Sequence, residues 1–147
     1  MKKISSEIEI DASPERVWQV LTDFPALSEW SPFIRSVEGK LEVDERLKVY
    51  IKGSKGMGMT FKPKVLKVEP NREFRWLGHF LIPGLFDGEH YFSIEPLEGD
   101  RVRFVQGEVF RGVLVGLMSI MRIMANTHLG FQEMNQALKE RAGQSPG

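Results

Sequence analysis

The sequence has no cysteine. Neither disulfides nor thiolate chemistry can contribute to its fold or function, a composition that fits the cytoplasm. It also has no excess of either charge, since 20 Lys and Arg balance 20 Asp and Glu. No basic run interleaves with aromatic residues, which argues against a nucleic-acid surface. A long apolar run is missing as well. The longest, Gly112 to Met121, stops at Arg122 and is about half of the ~20 residues that cross a bilayer, so no transmembrane segment is expected. Lys2 and Lys3 are not followed by an apolar stretch, and no signal peptide is expected. Signatures of catalysis are equally scarce. His79, His90 and His128 lie far apart without H-x-H or H-E-x-x-H spacing, and no serine sits in G-x-S-x-G. Neither a metal site, a cofactor nor a covalent nucleophile is therefore expected. The run Gly53-Ser54-Lys55-Gly56-Met57-Gly58 lacks the G-x-x-x-x-G-K-S/T spacing and reads as a hairpin loop, not a phosphate cradle.

What is present is a chain of 147 residues, enough for one domain with a real core. It reads as a single domain over residues 1–142 and a disordered tail over 143–147. Its longest regular stretch, Val113 to Arg141, contains no proline and is predicted as a helix. Up to Ala125 only Ser119 and Arg122 are strongly polar, so this half must be covered on most sides. From Asn126 onward the apolar residues thin to a stripe, Phe131, Met134 and Leu138, opposite Gln132, Glu133, Gln136, Lys139 and Glu140. Projected back, the stripe passes between Thr127 and His128 and then through Met124, Ile120/Met121 and Leu117. Methionine adapts its shape, so this face suits an irregular interior or a variable guest.

Residues 3 to 11 alternate between apolar and polar, as a half-buried strand does. Ser13-Pro14-Glu15 supplies a cap, a proline for the first helical position and a favourable charge, and a short helix follows to about Asp23. A second short turn of helix ends at Ser31-Pro32. From Ile34 to Gly112 the period is two. Expected strands are Ile34 to Gly39, Arg46 to Lys52, Met59 to Glu69, Glu73 to Phe80, Glu89 to Leu97 and Arg101 to Arg111. With the first strand these make a seven-stranded antiparallel meander. The fold class is α+β, a curved sheet wrapped around the long C-terminal helix, with two short helices after the first strand.

Several stretches resemble a known family: Ser13-Pro14-Glu15-Arg16-Val17-Trp18, Trp30-Ser31-Pro32-Phe33, Phe74-Arg75-Trp76-Leu77-Gly78, Gly88-Glu89-His90, Glu108-Val109-Phe110-Arg111-Gly112 and the run from Phe131 to Lys139. Together they are similar to the START-like (SRPBCC) superfamily, specifically its polyketide cyclase/dehydrase-type members, over nearly the whole chain. The resemblance implies a helix-grip fold with a cavity between sheet and helix. It does not fix a reaction, because the superfamily spans lipid carriers, hormone receptors, aromatase/cyclases and chaperone activators.

The strongest polar constellation comes from the last hairpin. A turn at Glu98-Gly99-Asp100 sets Ile94 opposite Phe104, Phe92 opposite Gln106 and His90 opposite Glu108. The apolar members mark this face as inward, so two ionisable groups and a glutamine point at the cavity. His90 and Glu108 are then expected within hydrogen-bonding reach, either as a link pinning the hairpin or as an acid/base pair. They are the only catalytic candidates. Expected ligand-binding residues are Phe61, Trp76, Phe80, His90, Phe92, Gln106, Glu108, Phe110, Met121, Met124, His128 and Phe131. The loop Leu81-Ile82-Pro83-Gly84-Leu85-Phe86 is apolar where a connection is normally polar, and reads as a gate at the cavity mouth. The leading reading is a monomer or weak homodimer that binds a small hydrophobic molecule, lipid, polyketide or isoprenoid-like. The rivals are a cofactor-free cyclase, dehydratase or isomerase, and a protein-interaction module.

Overall fold

The alternation read from the sequence does place a strand at the start of the chain, and its neighbour comes from the far end. The computed structural model describes residues 1–143, apart from the side chain of Ser119; residues 144–147 of the expected tail lie outside it. β1 (Lys2–Ile10) pairs antiparallel with β8 (Arg101–Arg111), and the hairpin partners continue as β7 (Asp87–Leu97), β6 (Glu73–His79) and β5 (Lys64–Glu69) in the order β1-β8-β7-β6-β5. A second sheet holds β2 (Ile34–Glu38), β3 (Lys48–Ile51) and β4 (Met59–Phe61) in chain order.

The seven expected strands are thus eight, because Met59 to Glu69 is two strands separated at Lys62-Pro63. Proline has no N–H for a ladder, so the chain turns from one sheet to the other there. The sheets stay joined at this corner: Leu47 N–H donates to Pro63 O and Val65 N–H to Glu45 O. The result is one curved surface with a seam.

Between β1 and β2, α1 (Pro14–Thr22) starts as expected. Ser13 Oγ accepts from Arg16 N–H at 3.1 Å, and Val17, Val20 and Leu21 are buried. A short 3-10 turn (Phe24–Ala26) leads into α2 (Leu27–Trp30). The long helix α3 spans Met118–Ala142 rather than starting at Val113. Gly112 to Gly116 holds two glycines and two valines, poor helix formers. The N–H groups of Val113 and Leu114 instead donate to Gly84 O and Leu85 O. This start of the segment is therefore tied to the loop before β7 and not to the helix.

The C-terminal half of α3 buries its stripe as the spacing predicts. Phe131, Met134 and Leu138 are at most 1% exposed and pack in one cluster with Phe74, Phe92 and Phe104 of the sheet and Val17 and Leu21 of α1. Gly130 permits a close approach: a Cβ there would overlap the ring of Phe33, which stands edge-on to Phe131. A smaller, separate cluster of Phe110, Val115, Ile120 and Met124 lies toward the helix N-terminus. Leu117 and Met121, projected onto the inward face, are half-exposed, and Ile120 takes that place.

Candidate functional site

The β7–β8 register sets Ile94 opposite Phe104, Phe92 opposite Gln106 and His90 opposite Glu108, as the turn at Gly99 predicts, and β6 extends these pairs sideways. Inward-facing residues therefore form rows across three strands. One row is Phe74, Phe92 and Gln106, the next Trp76, His90 and Glu108, and the next Gly78, Gly88 and Phe110. Two aromatic rings give way to two glycines within four residues of strand. The alternate residues face outward, where Arg75 bonds Glu73 and Glu89 and lies over the ring of Tyr91.

Where the glycines fall, the sheet and α3 do not meet, and a cavity of about 410 Å³ opens between them. That lies within the usual range of small-molecule sites, roughly 300–1,000 Å³. Of the residues singled out from the sequence, Phe61, Trp76, Phe80, His90, Glu108 and Phe110 line it, as does Phe86 of the loop. Phe92 and Phe131 do not: they are inward but belong to the closed core, at 1% and 0% exposure. Gln106 is sealed behind His90. Met121, Met124 and His128 face a shallow depression on the other flank of α3, beside Lys2 and Ser5, where His128 Nε2 bonds Ser5 O at 2.9 Å. Parity says which side a residue takes, and says nothing of how far along the strand the helix stays in contact.

The sequence reading missed the far wall. Val49 and Ile51 of β3, Met57 and Met59 of the following hairpin, Phe33 before β2, and Ile120, Ile123, Asn126 and Thr127 of α3 complete the lining. The alternation of Val49 and Ile51 carried a signal for the first two. Nothing periodic marks Met57, which sits in the glycine-rich loop.

His90 and Glu108 both face inward, but they do not bond each other. His90 leans diagonally, its Nε2 2.9 Å from Gln106 Oε1. Glu108 leans the opposite way and lays its carboxyl over Gly88, where any Cβ would overlap Oε2. The expected pair is thus split by two diagonal contacts, and Gly88 is the notch that lets the carboxyl in. Behind His90 runs a buried relay: Gln106 Nε2 donates to Asn135 Oδ1 at 2.9 Å, and Asn135 Nδ2 donates to Ser6 O at 3.1 Å.

Burial controls both titrations. It lowers the His90 pKa from 6.5 to about 4, outweighing the bond to Gln106 that favours the charged form. It raises Glu108 from 4.5 to about 8, with no donor to oppose it. Glu108 keeps some exposed surface, and it lines the cavity. Both shifts favour the uncharged form, an imidazole and a carboxylic acid, at this end of the cavity. Among the described residues no group of three His, Asp or Glu side chains could hold a metal ion, and no helix is long and apolar enough to cross a membrane.

The loop from Leu81 to Phe86 is only partly covered. Leu85 and Phe86 are half-buried, Phe86 stacking on Phe110 with ring centres 5.2 Å apart. Leu81 and Ile82 are 80% and 62% exposed, in company with Met57, Val113 and Met118. The turn itself is braced: Asp87 accepts from Gly84 N–H and holds His79 Nδ1 at 2.8 Å.

A family model described as polyketide cyclase / dehydrase and lipid transport matches residues 1–143. No curated protein sequence matches the chain. Among solved structures, the Zhui aromatase/cyclase of a Streptomyces species superposes with a TM-score of 0.74 at 15% identity, over 96% of this chain and 93% of that one. A START superfamily protein from Mycobacterium smegmatis gives 0.71 at 21% identity, over 95% and 96%. A protein from Arthrobacter aurescens gives 0.74 at 20%, over 99% and 88%. At these identities the likeness establishes the shared START-like, helix-grip fold and no more.

Proposed function

Because this chain belongs to the polyketide cyclase/dehydrase and lipid transport family, we propose that it binds a small, mostly apolar molecule, lipid, polyketide or isoprenoid-like, between the sheet and α3. The observation that carries this reading is the 410 Å³ cavity, walled mostly by aromatic and aliphatic side chains, with His90 and Glu108 as cross-strand partners among its few polar groups. An unfilled apolar volume of this size lowers stability, since its lining forgoes contacts that a packed core makes. A guest restores those contacts. The loop from Leu81 to Phe86 is the gate in this reading, with Phe86 the side chain that must swing off Phe110 to admit the guest. Native mass spectrometry of the gently purified protein tests the proposal. A co-purified small molecule, lost on mild activation, is the expected result; a bare chain that also takes up no added apolar compound contradicts it.

One observation favours a second reading, a cofactor-free cyclase or dehydratase. Glu108 is a protonated acid without a protein partner next to a neutral imidazole, an arrangement that can donate and accept a proton in a dry site. The aromatase/cyclase fold neighbour is consistent with it. Glu108→Gln separates the readings, because it abolishes turnover by an acid and leaves simple binding nearly unchanged.

A further inference from the structure

The hydrogen bonds behind the polar end of the cavity fix what kind of group it offers a guest. Ser6 O is a backbone carbonyl and can only accept, so Asn135 must turn its Nδ2 toward it. That leaves Asn135 Oδ1 to accept from Gln106 Nε2, and leaves Gln106 Oε1 facing His90 Nε2. His90 Nε2 therefore carries the proton, and the neutral ring presents Nδ1 as a bare acceptor. No protein group meets Nδ1 or the Glu108 carboxyl among the described residues. Neither is sealed away: the one buried side-chain polar atom without a partner there is Trp30 Nε1. Both residues line the cavity, as cross-strand partners on adjacent strands. The carboxyl over Gly88 faces a mostly apolar volume with no ion-pair partner among the described residues, which favours its protonated form, a donor on the same cavity wall as an acceptor.

We propose that this end of the cavity selects a guest with a neutral hydroxyl group, alcoholic, phenolic or enolic, whose O–H donates to His90 Nδ1 and whose oxygen accepts from Glu108. The inference rests on the reading of the cavity as an apolar binding site and adds the chemical class of the guest's polar group. A carboxylate is disfavoured, because it has no proton for Nδ1 and would lie next to an acidic group. The other titratable groups lining the cavity are His79, already bonded to Asp87, and Lys55 on the glycine-rich loop. Among the described residues lining the cavity, Lys55 is the cation that could hold an anionic guest, and it would do so from the hairpin loop and not from the His90–Glu108 end.

Matched two-ring probes test this: 1-naphthol, 1-methoxynaphthalene, naphthalene and 1-naphthoate, titrated calorimetrically at pH 6.5. The expected result is 1-naphthol about tenfold tighter than 1-methoxynaphthalene, the gain of the one hydrogen bond to His90 Nδ1 that the ether cannot donate, with 1-naphthoate weakest. Equal affinity for naphthol and its methyl ether overturns the inference and leaves the binding-site reading standing. Preferred binding of naphthoate, abolished by Lys55→Ala, also overturns it. Failure of all four to bind removes both. Glu108→Gln keeps an uncharged donor and should retain most of the naphthol affinity, whereas Glu108→Leu should weaken it about threefold or more. His90→Phe should abolish the preference for naphthol over its methyl ether; should that variant prove unstable, ring nitrogen chemical shifts of the unaltered protein decide the tautomer without a ligand. A proton on Nε2 and none on Nδ1 supports the assignment; a proton on Nδ1 overturns it.

Discussion

The two ends of α3 lie over the same sheet and do opposite things. At the C-terminal end Phe131, Met134 and Leu138 pack in one buried cluster with Phe74, Phe92 and Phe104. At the N-terminal end Ile120 and Met124 are buried, while Met118, Met121 and Ile123 stay 86%, 49% and 42% exposed. The helix is not the whole cause of the difference. Along β6 the inward residues run Phe74, Trp76, Gly78, and along β7 they run Phe92, His90, Gly88. The sheet stops supplying side chains just where the helix needs them. The boundary row, Trp76 with His90 and Glu108, is where apolar packing hands over to polar groups that the core would not tolerate unpaired. A closed end gives the domain its stability, and that stability permits an open end whose empty volume is a cost.

Truncating Phe131 to alanine attacks the closed end and should be the largest effect. A fully buried ring lost from a packed core costs about 3–5 kcal/mol. Ile123→Ala, at the open end, should cost less than about 1 kcal/mol, since part of that side chain already meets solvent and the rest meets a cavity. Chemical denaturation of both variants measures the contrast; similar losses would mean that the two ends are equally packed.

Next in size is the response to pH, which isolates the boundary row. Glu108 has a folded pKa raised from 4.5 to about 8, so its contribution is fully present below 4.5 and declines as pH rises to 8. His90 has a folded pKa lowered from 6.5 to about 4, so its contribution is present above 6.5 and is lost as pH falls toward 4. Between 4.5 and 6.5 the two slopes oppose each other and stability should be nearly level. From 6.5 to 8 only Glu108 acts, and stability should fall by about 2 kcal/mol at most, less where cavity water hydrates the carboxyl. Denaturant midpoints across this range should show the fall in the parent and a flat line in Glu108→Gln. An unchanged fall in that variant would place the titration elsewhere.

A smaller change in stability, with a large one in binding, is expected from closing the open end. A Cβ at Gly78 meets only Pro63, at 3.8 Å, and valine suits a strand better than glycine. Gly78→Val should therefore leave the melting temperature equal or a few degrees higher while weakening 1-naphthol binding at least tenfold. Retained binding would show that the guest does not reach the glycine row. Smallest of all is the difference in opening free energy across the loop. Amides from Leu81 to Phe86 should exchange faster than those of β6 and β7 and slow when an apolar guest is added; identical rates with and without guest would argue against gating.

Much of this architecture could be read from the sequence because period-two alternation and one turn at Gly99 set the parity of β7 and β8. Pro63 was also visible, and its missing N–H is the reason that one expected strand is two. What the sequence hid was depth. Phe92 and Phe131 share a face with His90 and Ile120, and only the path of α3 over the sheet decides which of them reach a cavity. The split of His90 from Glu108 depended on a diagonal reach to Gln106 and on the space above Gly88, and neither is a property of a residue taken alone. Symmetry was the unused clue: Phe74-x-Trp76-x-Gly78 and Gly88-x-His90-x-Phe92 run from bulky to bare toward the same end of the sheet.

The central claim, that the open end and not the core or the outer rim receives a guest, is tested most directly by following a 1-naphthol titration residue by residue with NMR. The account predicts intermolecular contacts from the naphthol ring to Trp76, Phe110 and Ile120, with Phe104 and Leu138 unperturbed. Contacts confined to Leu81, Val113 and Met118 on the exposed rim, with the signals of Trp76 and Phe110 unmoved, would contradict it.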